Sequence, residues 1–184
     1  MKRLNLIVAA CENQGIGKNG KLPWNLKNEM KYFNNITTSV SDSNKQNVVI
    51  MGRITWESIP NKFRPMPKRI NIVISSTLSR DHDNLTGTYL FNNLSEALSF
   101  TNDELSDKVE EVFVIGGSSL YKAALSSSYP LRLYYTKIFE SLDCDTFFPA
   151  FEWEQFKSVK LDHVPSEVQQ ENGIRYQFMV LDRC

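Results

Sequence analysis

Val112-Phe113-Val114-Ile115-Gly116-Gly117-Ser118-Ser119-Leu120-Tyr121 sets an apolar run against two glycines and then two hydroxyl residues. The run is β-branched and aromatic, the composition of a buried strand. The glycines break it, and Ser118 and Ser119 open a pattern that reads as a helix over residues 118–125. Such a junction aims unpaired backbone N–H groups and a helix dipole outward from the carboxyl end of a strand, which suits a phosphate. It suits a tight turn with a serine cap equally well. Met51-Gly52-Arg53-Ile54-Thr55-Trp56 repeats the arrangement, and Ile74-Ser75-Ser76-Thr77 places hydroxyls at a third strand end. Two such junctions in one chain favour a ligand with a pyrophosphate, hence a dinucleotide.

Outward from these junctions, short apolar runs alternate with helical patterns. Strands are expected at 4–10, 48–51, 70–74, 88–91, 111–115, 131–138, 155–161 and 174–181. Helices are expected at 26–36, 52–59, 94–100 and 118–125, and polar or proline-bounded loops at 39–46 and 61–68. Strand-helix alternation followed by a terminal strand pair predicts an α/β fold, a mostly parallel, doubly wound sheet with an antiparallel edge. No repeat, low-complexity tract or linker interrupts it, so residues 1–184 read as a single domain.

Composition narrows the function. The chain has 21 Lys+Arg and 21 Asp+Glu, which gives no sign of a nucleic-acid groove or a polybasic membrane patch. Cys11, Cys144 and Cys184 form no C-x-x-C and no metal-type cluster with His82 and His163, so reduced thiols, an intracellular chain and no metal are expected. Lys2, Arg3 and the run to Cys11 imitate a targeting signal, but the run is short and contains Asn5; a buried first strand is the better reading. No segment approaches the ~20 apolar residues of a membrane span.

The stretch from Cys11 to Phe33, CENQGIGKNGKLPWNLKNEMKYF, carries the chemistry. Gly15-Ile16-Gly17-Lys18-Asn19-Gly20 matches G-x-G-x-x-G after a strand. Pro23 follows at once and the helix begins only near Leu26, so this is not a dinucleotide fingerprint; the glycines read as hinges of a loop that closes over a ligand. On the helix, Leu26, Met30 and Phe33 fall on one apolar stripe, and Glu29 lies inside it. A carboxylate there is costly unless paired or raised in pKa, for structure or for chemistry. Arg69, opening a strand beside a proline-bounded loop, reads as a carboxylate clamp or as a solvated strand-end charge. Trp24, Phe33, Ile59 and Phe63 read as an aromatic slot or as core.

GIGKNGKLPW, an acid on the next helix, VVIMGRITWESIP, RINIVIS, VFVIGGSSLY and DTFFP stand here in the order and spacing of the dihydrofolate reductase family. The chain resembles that family over essentially its whole length. The resemblance implies an eight-stranded central sheet with flanking helices, and NADPH-dependent reduction of 7,8-dihydrofolate to tetrahydrofolate in one-carbon metabolism. It implies that Glu29 holds the pterin, with Thr136 hydrogen-bonding nearby, Trp24 positioning a water, and Leu22 and Tyr121 beside the reacting rings. Ile7, Val8, Met30, Phe33, Ile59, Phe63 and Ile115 would line the substrate slot, and Arg69 would take the substrate's α-carboxylate. For the cofactor it implies Ala9, Ile16, Gly20, Gly52, Arg53, Ile54, Thr55, Ser75, Ser76 and Thr77. Ile115, a cis Gly116–Gly117 peptide, Ser118, Ser119, Leu120 and Tyr121 complete that set. A monomer in the cytoplasm, open to antifolate inhibitors and without a fused thymidylate synthase domain, is implied as well.

Three departures stand out. Ser76 and Thr77 stand where many relatives carry a basic residue, and Asn92 and Asn93 where vertebrate relatives are basic, which leaves Arg53 for the cofactor's 2′-phosphate. Asn25 alone separates Trp24 from Leu26, one residue fewer than in vertebrate enzymes. Phe63 replaces a usually polar residue. A non-catalytic pterin- or nucleotide-binding module and a reductase of a riboflavin-pathway pyrimidine are the alternatives. Glu29, Gly116 and Gly117 oppose the first; the Leu22-Pro23-Trp24 corner and Arg69 oppose the second.

Overall fold

The computed structural model describes residues 3–79 and 85–184. His82 and the loop around Arg80 lie outside them. Eleven strands are described: β1 Leu4–Ala10, β2 Gly15–Gly17, β3 Gln46–Gly52, β4 Arg69–Ile74, β5 Thr88–Phe91, β6 Val109–Val114, β7 Leu131–Ile138, β8 Thr146–Phe147, β9 Lys157–Ser158, β10 Gln169–Glu171 and β11 Ile174–Arg183. Four α-helices join them: α1 Lys27–Thr38, α2 Arg53–Ser58, α3 Leu94–Asp103 and α4 Ser118–Leu125.

The main sheet runs β10-β11-β7-β1-β6-β3-β4-β5, eight strands side by side, with the two-residue β9 on the same side of β11 as β10. Every pair from β7 to β5 is parallel, and β11 and β10 are antiparallel. The mostly parallel sheet with an antiparallel C-terminal edge is therefore as expected. Its central strands are buried on both faces, which is why they read as unbroken apolar runs. Leu4, Leu6, Val8 and Ala10 of β1 pack toward α3 and α4, while Ile7 packs on the side of α1 and α2 with Tyr32, Ile36 and Trp56.

Several expectations fail locally. The strand expected at 155–161 is a 3-10 turn, Trp153–Gln155, followed by β9 alone. The loop expected at 61–68 contains a 3-10 turn over Asn61–Phe63. The ribbon β2–β8 and strand β10 lie in stretches read as irregular. Each has two or three residues, too short for alternation to show.

Helix α1 also faces differently from its apolar spacing. Its buried positions are Glu29, Tyr32, Ile36 and Thr37, while Met30 is 41 % exposed. Tyr32 stacks on Phe178 of β11, ring centroids 3.8 Å apart. The helix has no side-chain cap of its own. The Glu171 carboxylate on β10 accepts from the N–H groups of Lys27 and Asn28 at 2.9 and 3.0 Å, and Asn172 holds the Asn25 carbonyl. At the other end, buried Asn47 donates to the carbonyls of Thr37 and Ser39. No described helix is long and apolar enough to cross a membrane.

Candidate active site

The carboxyl ends of β1, β3, β4 and β6 open onto a cleft of about 1460 Å³. Parallel topology puts those ends on one edge, the usual place for a ligand in an open α/β sheet. Every site residue expected from the sequence lines this cleft except Trp24 and Thr136. Leu22, Met30, Ile54 and Phe63, four of the large apolar side chains most exposed in the molecule, all face it. Apolar surface gathered in one concavity marks a binding site.

The floor is bare backbone. The N–H of Gly52 donates to the Gly116 carbonyl at 2.8 Å, and the Gly116–Gly117 peptide is cis. Gly116 has φ +126, and a Cβ there would meet Thr55 Oγ1 at 3.3 Å and the Tyr121 hydroxyl at 3.5 Å. Only glycine leaves this surface open to close approach. Helix α4 begins there behind Gly117, with no side-chain cap on its first N–H groups. Burial raises the Tyr121 phenol, which stays neutral and donates to the Ile7 carbonyl at 2.7 Å. The floor therefore offers bare backbone beside the uncapped start of a helix, a chemistry that suits a phosphate.

Three of these side chains already have partners. Arg53 is paired with Glu57 at 2.8 Å within α2, both half-exposed, an exposed ion pair that leaves most of its guanidinium donors available. The Ser118 hydroxyl donates to the Phe147 carbonyl and ties α4 to β8. Ser75 is buried and turned inward, accepting from the N–H groups of Thr77 and Leu78; Ser76 and Thr77 remain exposed on the rim. Lys21 and Lys68, which the sequence did not single out, also line the cleft.

Glu29 is 6 % exposed. Thr136, central in β7 between Ala9 of β1 and Phe178 of β11, donates to Glu29 Oε1 at 3.1 Å. Burial pushes the Glu29 carboxyl from its ordinary 4.5 to about 7; Thr136 lowers it and the Glu171 carboxylate adds a smaller upward push. Desolvation outweighs one hydrogen bond because a neutral hydroxyl replaces little of a carboxylate's hydration. The buried Trp24 indole N–H has no hydrogen-bond partner, nor has the buried Tyr32 hydroxyl.

Farther along the same cleft, Arg69 is 9 % exposed and fixed by the Pro67 carbonyl, Asn34 Oδ1 and Thr37 Oγ1. No carboxylate among the described residues pairs with it. Burial draws its pKa down, yet a guanidinium stays charged. A buried cation without an anion calls for one from the ligand.

A sequence profile of the dihydrofolate reductase family matches residues 3–183. The chain belongs to the dihydrofolate reductase family. It is 47% identical to the dihydrofolate reductase of Schistosoma mansoni, over 98% of this chain and 96% of that one. The Sus scrofa enzyme is also 47% identical, over 100% and 99% of the two chains. The solved structure of the Schistosoma mansoni enzyme superposes with a TM-score of 0.88 at 46% identity, covering 99% of this chain and 98% of that one. Enzymes of this family are oxidoreductases that reduce dihydrofolate to tetrahydrofolate with NADPH, and this chain is an oxidoreductase of that kind.

The raised Glu29 carboxyl has a consequence for stability. Below about pH 4.5 the folded and unfolded states both hold the proton and nothing is lost. Between that pH and about 7 the unfolded chain ionises first, so folding weakens as pH rises; above it the full penalty, roughly 3 kcal/mol, is present. Glu29→Gln keeps the volume and the Thr136 contact without the charge. Denaturant unfolding should find it more stable than the parent at pH 8, by up to that amount, with the gain vanishing near pH 4. A difference independent of pH would show that Glu29 ionises as freely folded as unfolded.

Proposed function

We propose that reduction of 7,8-dihydrofolate in this chain rests on Glu29 as the one protein acid in the slot and on Arg69 as the anchor for the substrate's carboxylate. The observation that carries this reading is the pairing of a buried, raised carboxyl with a buried, uncompensated guanidinium along one cleft. A folate has a flat, N–H-rich ring at one end and carboxylates at the other, and the cleft complements both.

NADPH, when bound, supplies the hydride. Gly116, Gly117 and the uncapped start of α4 would hold its diphosphate, with Ser76, Thr77 and Lys21 at the rim and Ile16, Gly20 and Leu22 closing over it. The protein's part is alignment and electrostatics. Ile7, Met30, Phe33, Ile59 and Phe63 enclose the ring and keep bulk water away, which sustains the raised carboxyl. Glu29 orients the pterin through its carboxyl oxygens and holds a proton near neutrality, biasing the ring nitrogen toward the protonated form while water makes the last transfer. Trp24, behind the slot, has an unpartnered indole N–H suited to holding that water. Arg53, whose Glu57 contact uses one side of its guanidinium, would serve the 2′-phosphate with the remaining donors. The same reading places a monomer in the cytoplasm, with antifolates competing for the slot.

Mixing the protein with NADPH and dihydrofolate should bleach the nicotinamide absorbance. Glu29→Gln should still bind NADPH but turn over about 10²–10⁴-fold more slowly at neutral pH, with the deficit narrowing in acid as solution protonates the substrate. Near-normal neutral turnover would return Glu29 to a structural role.

Arg69→Leu separates anchoring from chemistry. Its KM for dihydrofolate should rise much more than kcat falls, by roughly 2–5 kcal/mol of lost binding. An unchanged KM would remove Arg69 from the substrate site.

A further inference from the structure

Cys11 and Cys144 lie 133 residues apart in sequence, yet their sulfurs are 3.8 Å apart. Cys11 follows β1 and is 1 % exposed; Cys144 precedes β8 and is half-buried. The approach is built into the backbone. A Cβ added to Gly15 would come within 2.2 Å of the Cys144 sulfur, so that sulfur occupies space only a glycine leaves. A turn from Cys11 to Gly15, closed by the Cys11 N–H donating to the Gly15 carbonyl at 3.0 Å, brings β2 back over the two thiols. Asn13 accepts from the Cys11 thiol at 2.7 Å and donates to the Leu142 carbonyl at 2.9 Å, bridging the same two segments.

The thiols therefore sit at the root of the β2–β8 ribbon. That ribbon leads directly into the cleft wall formed by Ile16, Gly17, Gly20 and Leu22. Neither cysteine lines the cleft. The ribbon is also tied by backbone bonds, the Asp145 N–H to the Gly17 carbonyl at 3.0 Å and the Phe148 N–H to the Gln14 carbonyl at 2.8 Å, and by two exposed contacts, the Lys18–Asp143 ion pair at 3.0 Å and the Asn19 N–H to Asp145 at 2.8 Å. Exposed ion pairs contribute little, and a short two-stranded ladder is marginal alone. A covalent bond at the root would reinforce them.

We propose that Cys11 and Cys144 are a modification site, forming a reversible disulfide under peroxide that staples the ribbon and holds the cleft-wall loop in place. The Cys144 sulfur attacks one peroxide oxygen, the O–O bond breaks, one water leaves and a sulfenic acid remains. The Cys11 sulfur then attacks the Cys144 sulfur, the S–O bond breaks and a second water leaves. Two thiols and one peroxide become one disulfide and two waters, and a small-molecule thiol reverses the change. The sulfurs must close to about 2 Å, a movement on the scale of side-chain rotation and a small shift of the ribbon. Burial raises the Cys144 thiol, so it is mostly protonated at neutral pH and responds to sustained oxidant rather than to a brief pulse. Cys184, exposed at the far end of the chain, is an internal control.

The whole protein would be treated with hydrogen peroxide, its free thiols alkylated, and its peptides weighed. The expected product is a Cys11–Cys144 peptide pair lighter by two hydrogens, with Cys184 still alkylated and full reversal by dithiothreitol. The oxidised protein should unfold several degrees higher, and NADPH chased from it in a stopped-flow should leave several-fold more slowly. Cys144→Ser should lose all three effects while turning over normally. Over-oxidation of Cys144, or pairing through Cys184 between molecules, without the Cys11–Cys144 pair would overturn the site. A cross-link that leaves NADPH release unchanged would overturn the stapling of the loop.

Discussion

An acid kept out of water with a single neutral hydrogen bond is the constraint on which this structure turns. Glu29 has Thr136 and, among the described residues, no cation; burial disfavours its charge first and the Glu171 carboxylate adds to that. Such a group stays buried only if the helix carrying it cannot rotate or slide outward. Helix α1 is accordingly held at both ends and in the middle. Glu171 caps its first turn from β10, Tyr32 stacks on Phe178, and Asn47 holds the carbonyls of Thr37 in its last turn and of Ser39 just beyond it. The antiparallel edge that sets this sheet apart from a purely parallel one supplies two of these three restraints.

The same helix sets the geometry of the site. Glu29 faces the slot near its start, and Asn34 and Thr37, five and eight residues later, bond the Arg69 guanidinium. At 1.5 Å per residue the acid and the anchor of the cation are separated by roughly 8–12 Å along one rigid axis. A ligand with a hydrogen-bonding ring and a distant carboxylate fits such a ruler. The glycine floor beneath belongs to other elements, the ends of β3 and β6.

Much of the architecture was legible because buried parallel strands are unbroken apolar runs and glycines end them. Ile115-Gly116-Gly117-Ser118 and Met51-Gly52-Arg53 could be placed on the correct edge of the sheet from residue type alone. Glu29 was legible by its spacing, but spacing alone gave Met30 and Phe33 a buried stripe, and only the family resemblance put them on the slot wall where they lie. Apolar side chains lining a ligand slot have the same chemistry as those lining a core. The partners that decide behaviour were not legible. Glu171 acts across 143 and 144 residues on the α1 N–H groups, and Cys11 meets Cys144 through a glycine's missing side chain. Pairing at such separations leaves no local periodicity to read.

The central claim is the protonation state of one carboxyl, and carbon-13 NMR reads it without reference to turnover. Protein labelled at its glutamate side-chain carboxyls would be titrated from acid to mild base, with the Glu29 resonance assigned by its loss in Glu29→Gln. The account expects that resonance to titrate near pH 7, well above the ordinary 4.5 of a glutamate. A midpoint for Glu29 at that ordinary value would contradict the account, because the slot would then hold a carboxylate and not a proton at neutral pH.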